Sequence, residues 1–318
     1  MASGPYILVA EDNFDILEAM REVLETEGYR VTCAHHGAEA FRAFQHETPD
    51  LIVSDVMMPQ MDGFALLSAV RAHPAGAAVP FLFLSARTEA AATAHARNLG
   101  ADDYLFKPFA ADDLVQAVRA KLERRRAVIA YDTRAAHLQT VQMLANVIEA
   151  RDQTTSGHVQ RVQRLAMELA RALSWSAEAL VVLEFGALLH DIGKILVPRE
   201  ILNKPGRLEP AEWEILKRHP EDGAQMLAGV DHLRAAVPYV RHHHERWDGT
   251  GYPGALAGAH IPIEGRLLAV VDAYDAMTNL RPYQGVKSSQ SATAEILAGR
   301  GRQFDPAIAE VFARLRQA

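Results

Sequence analysis

The C-terminal half of the chain is rich in side chains that bind metals. His158 lies in "SGHVQRV", His190 and Asp191 are adjacent in "HDIGK", and His219 lies in "RHPEDG". His243 and His244 stand in "HHHERWDGTGYPG", and Asp272 in "LLAVVDAYDAMT". Imidazoles mixed with carboxylates suit Mn, Fe or Zn, and the lack of thiolates argues against a structural zinc site. Taken singly, His158 could be a surface histidine, His219 a helix-end cap and Asp275 a polar partner on its helix. His242 reads as a structural neighbour of the pair that follows it. Together the residues point to a metal centre. Asp191 and Asp272 sit in apolar stretches read as helix, where a carboxylate needs a cation or several donors. Lys194 follows His190 by four residues, which on a helix is the same face, and its ammonium suits a phosphate oxygen. Arg161 stands in the same relation to His158 at three residues, and Arg281 in "RPYQ" offers a second anion contact.

A second cluster lies near the N-terminus. Short apolar runs end at Glu11–Asp12, at Asp55, at Ser85 and at Lys107–Pro108. If these runs are neighbouring parallel strands, their carboxyl ends bring three carboxylates, a hydroxyl and an ammonium together, where open α/β sheets bind ligands. Acids in a cluster repel unless a cation bridges them, and oxygen ligands with open water positions suit Mg²⁺. Any one acid could merely solvate a loop, but five such groups on one edge call for a site.

The elements that position these groups change character along the chain. Up to residue 126, strand-like runs alternate with helix-period segments in five units: "YILVA", "YRVTCA", "DLIVSD", "PFLFLSA" and "DYLFKPF" are the strands. One of the intervening helices is read over 88–100. This predicts an α/β doubly wound five-stranded parallel sheet. After residue 130 the pattern is helical, with loops over 198–210 and 246–262, so an all-α bundle is expected. An amphipathic helix over 135–152 is read as joining the halves.

Bulk properties agree with two soluble domains. The chain has 318 residues, 49% hydrophobic and 23% charged, long enough for two cores. The net charge of −7 disfavours nucleic acid and anionic membranes as partners. Cys33 is the single cysteine, so no intrachain disulfide forms, in keeping with a reducing compartment. The N-terminus lacks a signal-peptide pattern and the longest apolar run is too short to span a bilayer. A cytoplasmic protein is expected.

The motifs "ILVAEDN", "DLIVSDVMMPQMDGF", "FLFLSA" and "DYLFKPF" resemble, in order, the receiver domain of two-component response regulators, over residues 4–122. The resemblance implies a flavodoxin-like fold with Asp55 as phosphoacceptor and a sensor histidine kinase as donor. It implies Mg²⁺ held by Glu11, Asp12, Asp55 and the Met57 carbonyl, with Lys107 and Ser85 on the phosphoryl group and Tyr104 as the switch aromatic. A cis Lys107–Pro108 bond is part of the pattern. After a helical linker over 123–139, residues 140–318 resemble the HD-GYP branch of the HD phosphohydrolases. "HDIGKILVPREILNKPGRL", "HPEDGAQML", "HHERWDGTGYPGALAG" and "IPIEGRLLAVVDAYDAMTNLRPY" carry that likeness.

The second resemblance implies hydrolysis of cyclic di-GMP to linear pGpG or GMP at Fe or Mn. His190, Asp191, His219, His243, His244 and Asp272 fall on the metal-ligand positions and Lys194 on the phosphate-binding lysine. Thr154 replaces a glutamate found in three-metal members, so a binuclear site is expected, with His158 either a ligand or a support. Arg281 would contact substrate. Gly251, Tyr252 and Pro253 form the name motif, a loop read as exposed and able to dock partners such as diguanylate cyclase domains. A homodimer is compatible with the receiver half. The alternatives are a phospho-regulated scaffold and a hydrolase of another cyclic dinucleotide.

Overall fold

The computed structural model describes residues 4–86, 103–152, 157–279 and 286–317. The helix read over 88–100, Thr154 and Arg281 lie outside the described residues. The chain divides into two compact units, Met1–Arg134 and Ala135–Ala318.

In the first unit the strands are β1 (Tyr6–Ala10), β2 (Arg30–Ala34), β3 (Leu51–Asp55), β4 (Phe81–Ala86) and β5 (Asp103–Lys107). They pair in parallel in the order β2-β1-β3-β4-β5. This is the flavodoxin-like doubly wound order. Both faces of the sheet are covered, which is why β1 is apolar at every position. Leu8, Ile52, Phe81 and Phe83 pack on one side. Ile7, Val9, Leu51, Val53, Leu82 and Leu84 pack on the other against Leu17, Leu24, Leu114 and Val118. Helix starts are fixed locally: Asn13 accepts from the Asp15 and Ile16 amides, and Asp62 from the Ala65 amide.

The second unit is helical, and among its described residues strand-type pairing is limited to two isolated bridges, Asp248 with Ala257 and Arg300 with Phe304. Leu165, Leu169, Leu183, Tyr239, Leu268, Val271 and Phe312 belong to one core cluster. Val141, Ala145 and Ile148 join Leu188, Leu189, Ile192 and Val240 in another. The helix Ala111–Arg151 is a single 41-residue element, and the stretch read as a helical linker, 123–139, lies within it. Among the described residues no helix is long and apolar enough to cross a membrane.

One local expectation is corrected. His190, Asp191 and Lys194 do not share a helix. The helix Ala177–Leu189 ends with His190 as its cap, and Ile192–Leu196 forms a 3₁₀ turn. The tighter winding sets Lys194 over Asp191, three residues back, and not over His190. Gly193 permits this path, since a Cβ there would lie 1.9 Å from the His219 carbonyl oxygen. Gly193→Ala should therefore cost about 1–3 kcal/mol or more through overpacking and displace His219. A lowered thermal midpoint together with reduced metal retention after dialysis would report both effects.

Candidate metal centre

The histidines that gather at this centre, His158, His190, His219, His243 and His244, each stand at or beside a helix end, and the main chain of the preceding turn orients three of them. The Nδ1–H of His190 donates to the Ala187 carbonyl at 2.8 Å, that of His219 to Leu216 at 2.8 Å, and that of His243 to Val240 at 2.7 Å. In the neutral imidazoles this leaves Nε2 as a bare lone pair pointing inward. His158, the first residue of the helix His158–Ala172, is oriented instead by a side chain: its Nδ1–H donates to Asp275 Oδ2 at 2.7 Å. Arg161 Nε in turn donates to Asp275 Oδ1 at 2.6 Å. Burial opposes ionisation of Asp275, but His158 and Arg161 outweigh it and keep the carboxyl below its ordinary range.

The inward nitrogens gather around Asp191. Its Oδ1 lies 3.2 Å from His219 Nε2 and 3.7 Å from His243 Nε2, and its Oδ2 lies 3.4 Å from His190 Nε2. His158 Nε2 is 3.3 Å from His190 Nε2 and 3.5 Å from Asp272 Oδ1. The donor atoms thus form two groups, Asp191–His219–His243–His244 and His158–His190–Asp272, with Asp191 presenting one oxygen to each side. The structure brings together all seven residues singled out by type and spacing, His158 included.

This set fits a pair of divalent cations. Asp191 Oδ1 is buried without a hydrogen-bond partner, because the imidazoles nearest to it carry their protons on the far side. The His219 and His243 lone pairs meet at 3.3 Å. Nitrogen and oxygen donors without thiolate suit Mn or Fe. Burial opposes ionisation of Asp191, yet Lys194 and His190 hold it well below the usual carboxylate range. Burial pushes His243 down to about 4 and His244 well below its ordinary value, so both are neutral donors at pH 7. His190 goes the other way: burial opposes its charge, but the Asp191 carboxylate raises its pKa. Lys194 Nζ lies 2.6 Å from Asp191 Oδ2, at the edge of the centre.

The loop is exposed at Asp248, Thr250, Pro253, Gly254, Ala255 and Ala257, whereas Gly251 and Tyr252 within it are half-buried. The expectation of an exposed loop therefore does not extend to the Tyr252 ring. The Tyr252 ring stacks on His244 with centroids 4.8 Å apart, and burial raises its phenol pKa. The Tyr252–Pro253 bond is cis. The buried carboxylate of Glu245 fastens the turn by accepting from the Gly254 amide at 2.7 Å and the Leu256 amide at 3.1 Å. A cavity of about 390 Å³ adjoins the centre, bounded by Trp213, His243, His244, Tyr252, Asp272 and Gln303 among others. Glu245 and the orienting role of Asp275 escaped sequence reading. Asp275 left a trace in its i+3 spacing from Asp272, whereas Glu245 left none.

In the first unit, Lys107 Nζ lies between Glu11 Oε2 at 2.6 Å and Asp55 Oδ2 at 2.7 Å. Glu11, Asp12 and Asp55 present converging oxygens, as a Mg²⁺ site would require. Burial raises the Glu11 pKa against the pull of Lys107. Burial opposes the charge on Lys107, but Asp55 and Glu11 raise its pKa. The Met57 amide approaches Asp55 Oδ1 at 3.4 Å. Ser85 is buried near the end of β4, with its hydroxyl donating to the Ala86 carbonyl at 3.3 Å. Tyr104 stacks on Phe83. Lys107–Pro108 is cis, as read from the sequence.

A carboxylate cluster at the strand ends of a doubly wound sheet, joined to a helical domain with an imidazole–carboxylate centre, defines a phosphoacceptor module coupled to a metal-dependent hydrolase domain. Residues 7–119 match the response regulator receiver domain family, and residues 142–308 match the HD domain family. The chain is 30% identical to the cyclic di-GMP phosphodiesterase response regulator RpfG of Xanthomonas campestris pv. campestris over 98% of its own length and 88% of the relative's. It is 30% identical to a cyclic di-GMP phosphodiesterase of Thermotoga maritima, over 98% and 90% of the two chains. A 3'3'-cGAMP-specific phosphodiesterase 2 of Vibrio cholerae shares 36% identity over 57% of this chain and 35% of that protein. The chain belongs to the response regulators that join a receiver domain to an HD phosphodiesterase domain.

Two outcomes follow for the centre. Asp275→Asn should misorient His158 and weaken metal retention about 10–100-fold, read as metal content after dialysis against a graded chelator. In metal-stripped protein, His243 is neutral when folded down to about 4 but titrates near 6.5 when unfolded. The unfolded chain therefore binds more protons in that window, and stability falls as pH drops from about 6.5 to about 4, by about 1.4 kcal/mol per unit from this group. His244 acts in the same sense. His190, whose pKa is raised, acts in the opposite sense: it contributes stability at low pH that is lost as pH rises through its folded value. Calorimetric midpoints across pH 4–7 of the stripped protein check the direction.

Proposed function

We propose that the second unit hydrolyses cyclic di-GMP and that phosphorylation of Asp55 controls it. The observation that carries this reading is Asp191 set between two donor groups, one oxygen facing each, in a chain matched almost end to end by relatives named for that activity. His158, His190 and Asp272 would hold one ion, and His219, His243 and His244 the other, with Asp191 shared. Fe or Mn bound there supplies Lewis acidity and a water acidic enough to act as nucleophile. Lys194 holds a nonbridging phosphoryl oxygen and so offsets charge that builds up during attack. Tyr252 closes the wall beside His244. Attack by water oxygen at phosphorus breaks the bond to the ribose 3′ oxygen, which leaves with a proton. The product is the linear dinucleotide pGpG, and a second hydrolysis gives GMP. Another cyclic dinucleotide is the second reading, favoured by the similarity of this domain to a 3'3'-cGAMP-specific enzyme.

In the receiver, a histidine kinase is the phosphodonor class. Asp55 attacks the phosphorus of the donor's phosphohistidine, the phosphorus–nitrogen bond breaks and the donor's imidazole leaves, while Lys107 pairs with the transferred oxygens and Ser85 hydrogen-bonds to them. Glu11, Asp12 and Asp55 would hold Mg²⁺, which would offset the charge on the phosphoryl group. The added charge biases the surface around Tyr104.

Incubation with cyclic di-GMP, anaerobically with Fe²⁺ and separately with Mn²⁺, should yield pGpG or GMP, and His190→Ala/Asp191→Ala should abolish product. No turnover of cyclic di-GMP alongside cleavage of 3'3'-cGAMP would move the assignment to the second reading. For the gate, acetyl phosphate should change the wild-type rate and leave Asp55→Asn unaffected. Equal response of both proteins would remove Asp55 from the account.

A further inference from the structure

Lys194 has a second carboxylate neighbour that the reaction scheme does not use. Asp152 Oδ2 lies 3.6 Å from Lys194 Nζ, in addition to the 2.6 Å contact of that ammonium with Asp191, and Asp152 is only 5% exposed. The residue stands immediately after the helix Ala111–Arg151, and its amide donates to the Ile148 carbonyl. The end of that helix is fastened to the segment that carries Lys194. The Arg151 carbonyl accepts from Asn203 Nδ2 at 3.0 Å, and the Arg151 guanidinium donates to the Val197 carbonyl at 3.3 Å. Just upstream, Glu149 Oε1 accepts from the amides of His158 at 2.6 Å and Val159 at 3.3 Å. It supplies the cap that Gly157, in the left-handed region at φ 70°, cannot offer from a side chain.

Were cations held by Asp191, that carboxylate would no longer serve Lys194 alone. Asp152 belongs to neither donor group and would remain as an anchor for the ammonium. We propose that Asp152 is a positioning residue that holds Lys194 in place to meet a phosphate oxygen. The proposal rests on the reading of Lys194 as the phosphate-holding residue. It has a sign that plain electrostatics does not share. Removing a negative charge near an anion site should by Coulomb's law alone tighten anion binding, whereas loss of a positioning contact should loosen it.

The test is a double-mutant cycle on the full-length, Mn²⁺-loaded protein, with Asp152→Asn, Lys194→Ala and the double variant. Inorganic phosphate binding is measured by calorimetry, metal content by elemental analysis, and kcat/KM with bis(4-nitrophenyl) phosphate, a diester without bases. Asp152→Asn should keep the wild-type metal content, weaken phosphate binding and lower kcat/KM by on the order of ten-fold. It should add less than about two-fold in the Lys194→Ala background, and Asp152→Glu should recover much of the loss. Tighter phosphate binding, loss of metal, or an undiminished effect without Lys194 would each overturn the assignment. Since the probes carry no nucleobase, failure with cyclic di-GMP alone would count against the substrate reading and leave the cycle interpretable.

Discussion

Imidazole lone pairs that face one another at 3.3 Å in a buried space repel unless something positive lies among them. The second unit is built around that constraint. Helix ends and 3₁₀ turns deliver His190, His219 and His243 with their Nδ1 protons already committed to carbonyls, so the inward nitrogens have no hydrogen to share. Asp191 adds a carboxylate oxygen with no donor of its own. Without a metal, a proton on His190 is the nearest substitute, and its raised pKa beside Asp191 expresses that demand. With metal, the same atoms become ligands and the repulsion becomes coordination.

The receiver meets the converse problem with a different solution. Its cluster consists of acids, and the convergence of strand ends is what forces them together. A single ammonium, Lys107, lies between Glu11 and Asp55. It neutralises part of the cluster while Asp12 remains exposed and able to take a hydrated cation. One unit therefore gathers charge at the edge of a sheet, and the other gathers neutral donors inside a bundle. Each arrangement follows from the kind of secondary structure that supplies it.

The sheet was legible because β1, β3 and β4, the strands buried along nearly their whole length, read as largely apolar runs that lead to Glu11, Asp55 and Ser85. The metal centre was legible because histidine is scarce and its neighbours carry recognisable context. The fine geometry was less so. The path from His190 to Lys194 depends on a backbone approach at Gly193 that periodicity does not encode. Asp152, Asp275 and Glu245 act through partners far away in sequence or through backbone amides, and single-residue type gives no sign of such partners. Tyr252 was read as exposed because turn-rich loops usually are, but stacking against His244 draws it inward.

The way the histidines are oriented also bears on how such a centre can change over generations. Three of them take their orientation from main-chain carbonyls three residues upstream, which no side-chain replacement can delete. His158 alone among these four depends on a side chain, Asp275, itself held by Arg161. Loss of one side chain, Asp275, is enough to release His158, whereas the bonds that orient His190, His219 and His243 yield only to changes that move the backbone itself, as at Gly193. Drift among descendants of this sequence should therefore accumulate more readily at the His158 contact than at the other three.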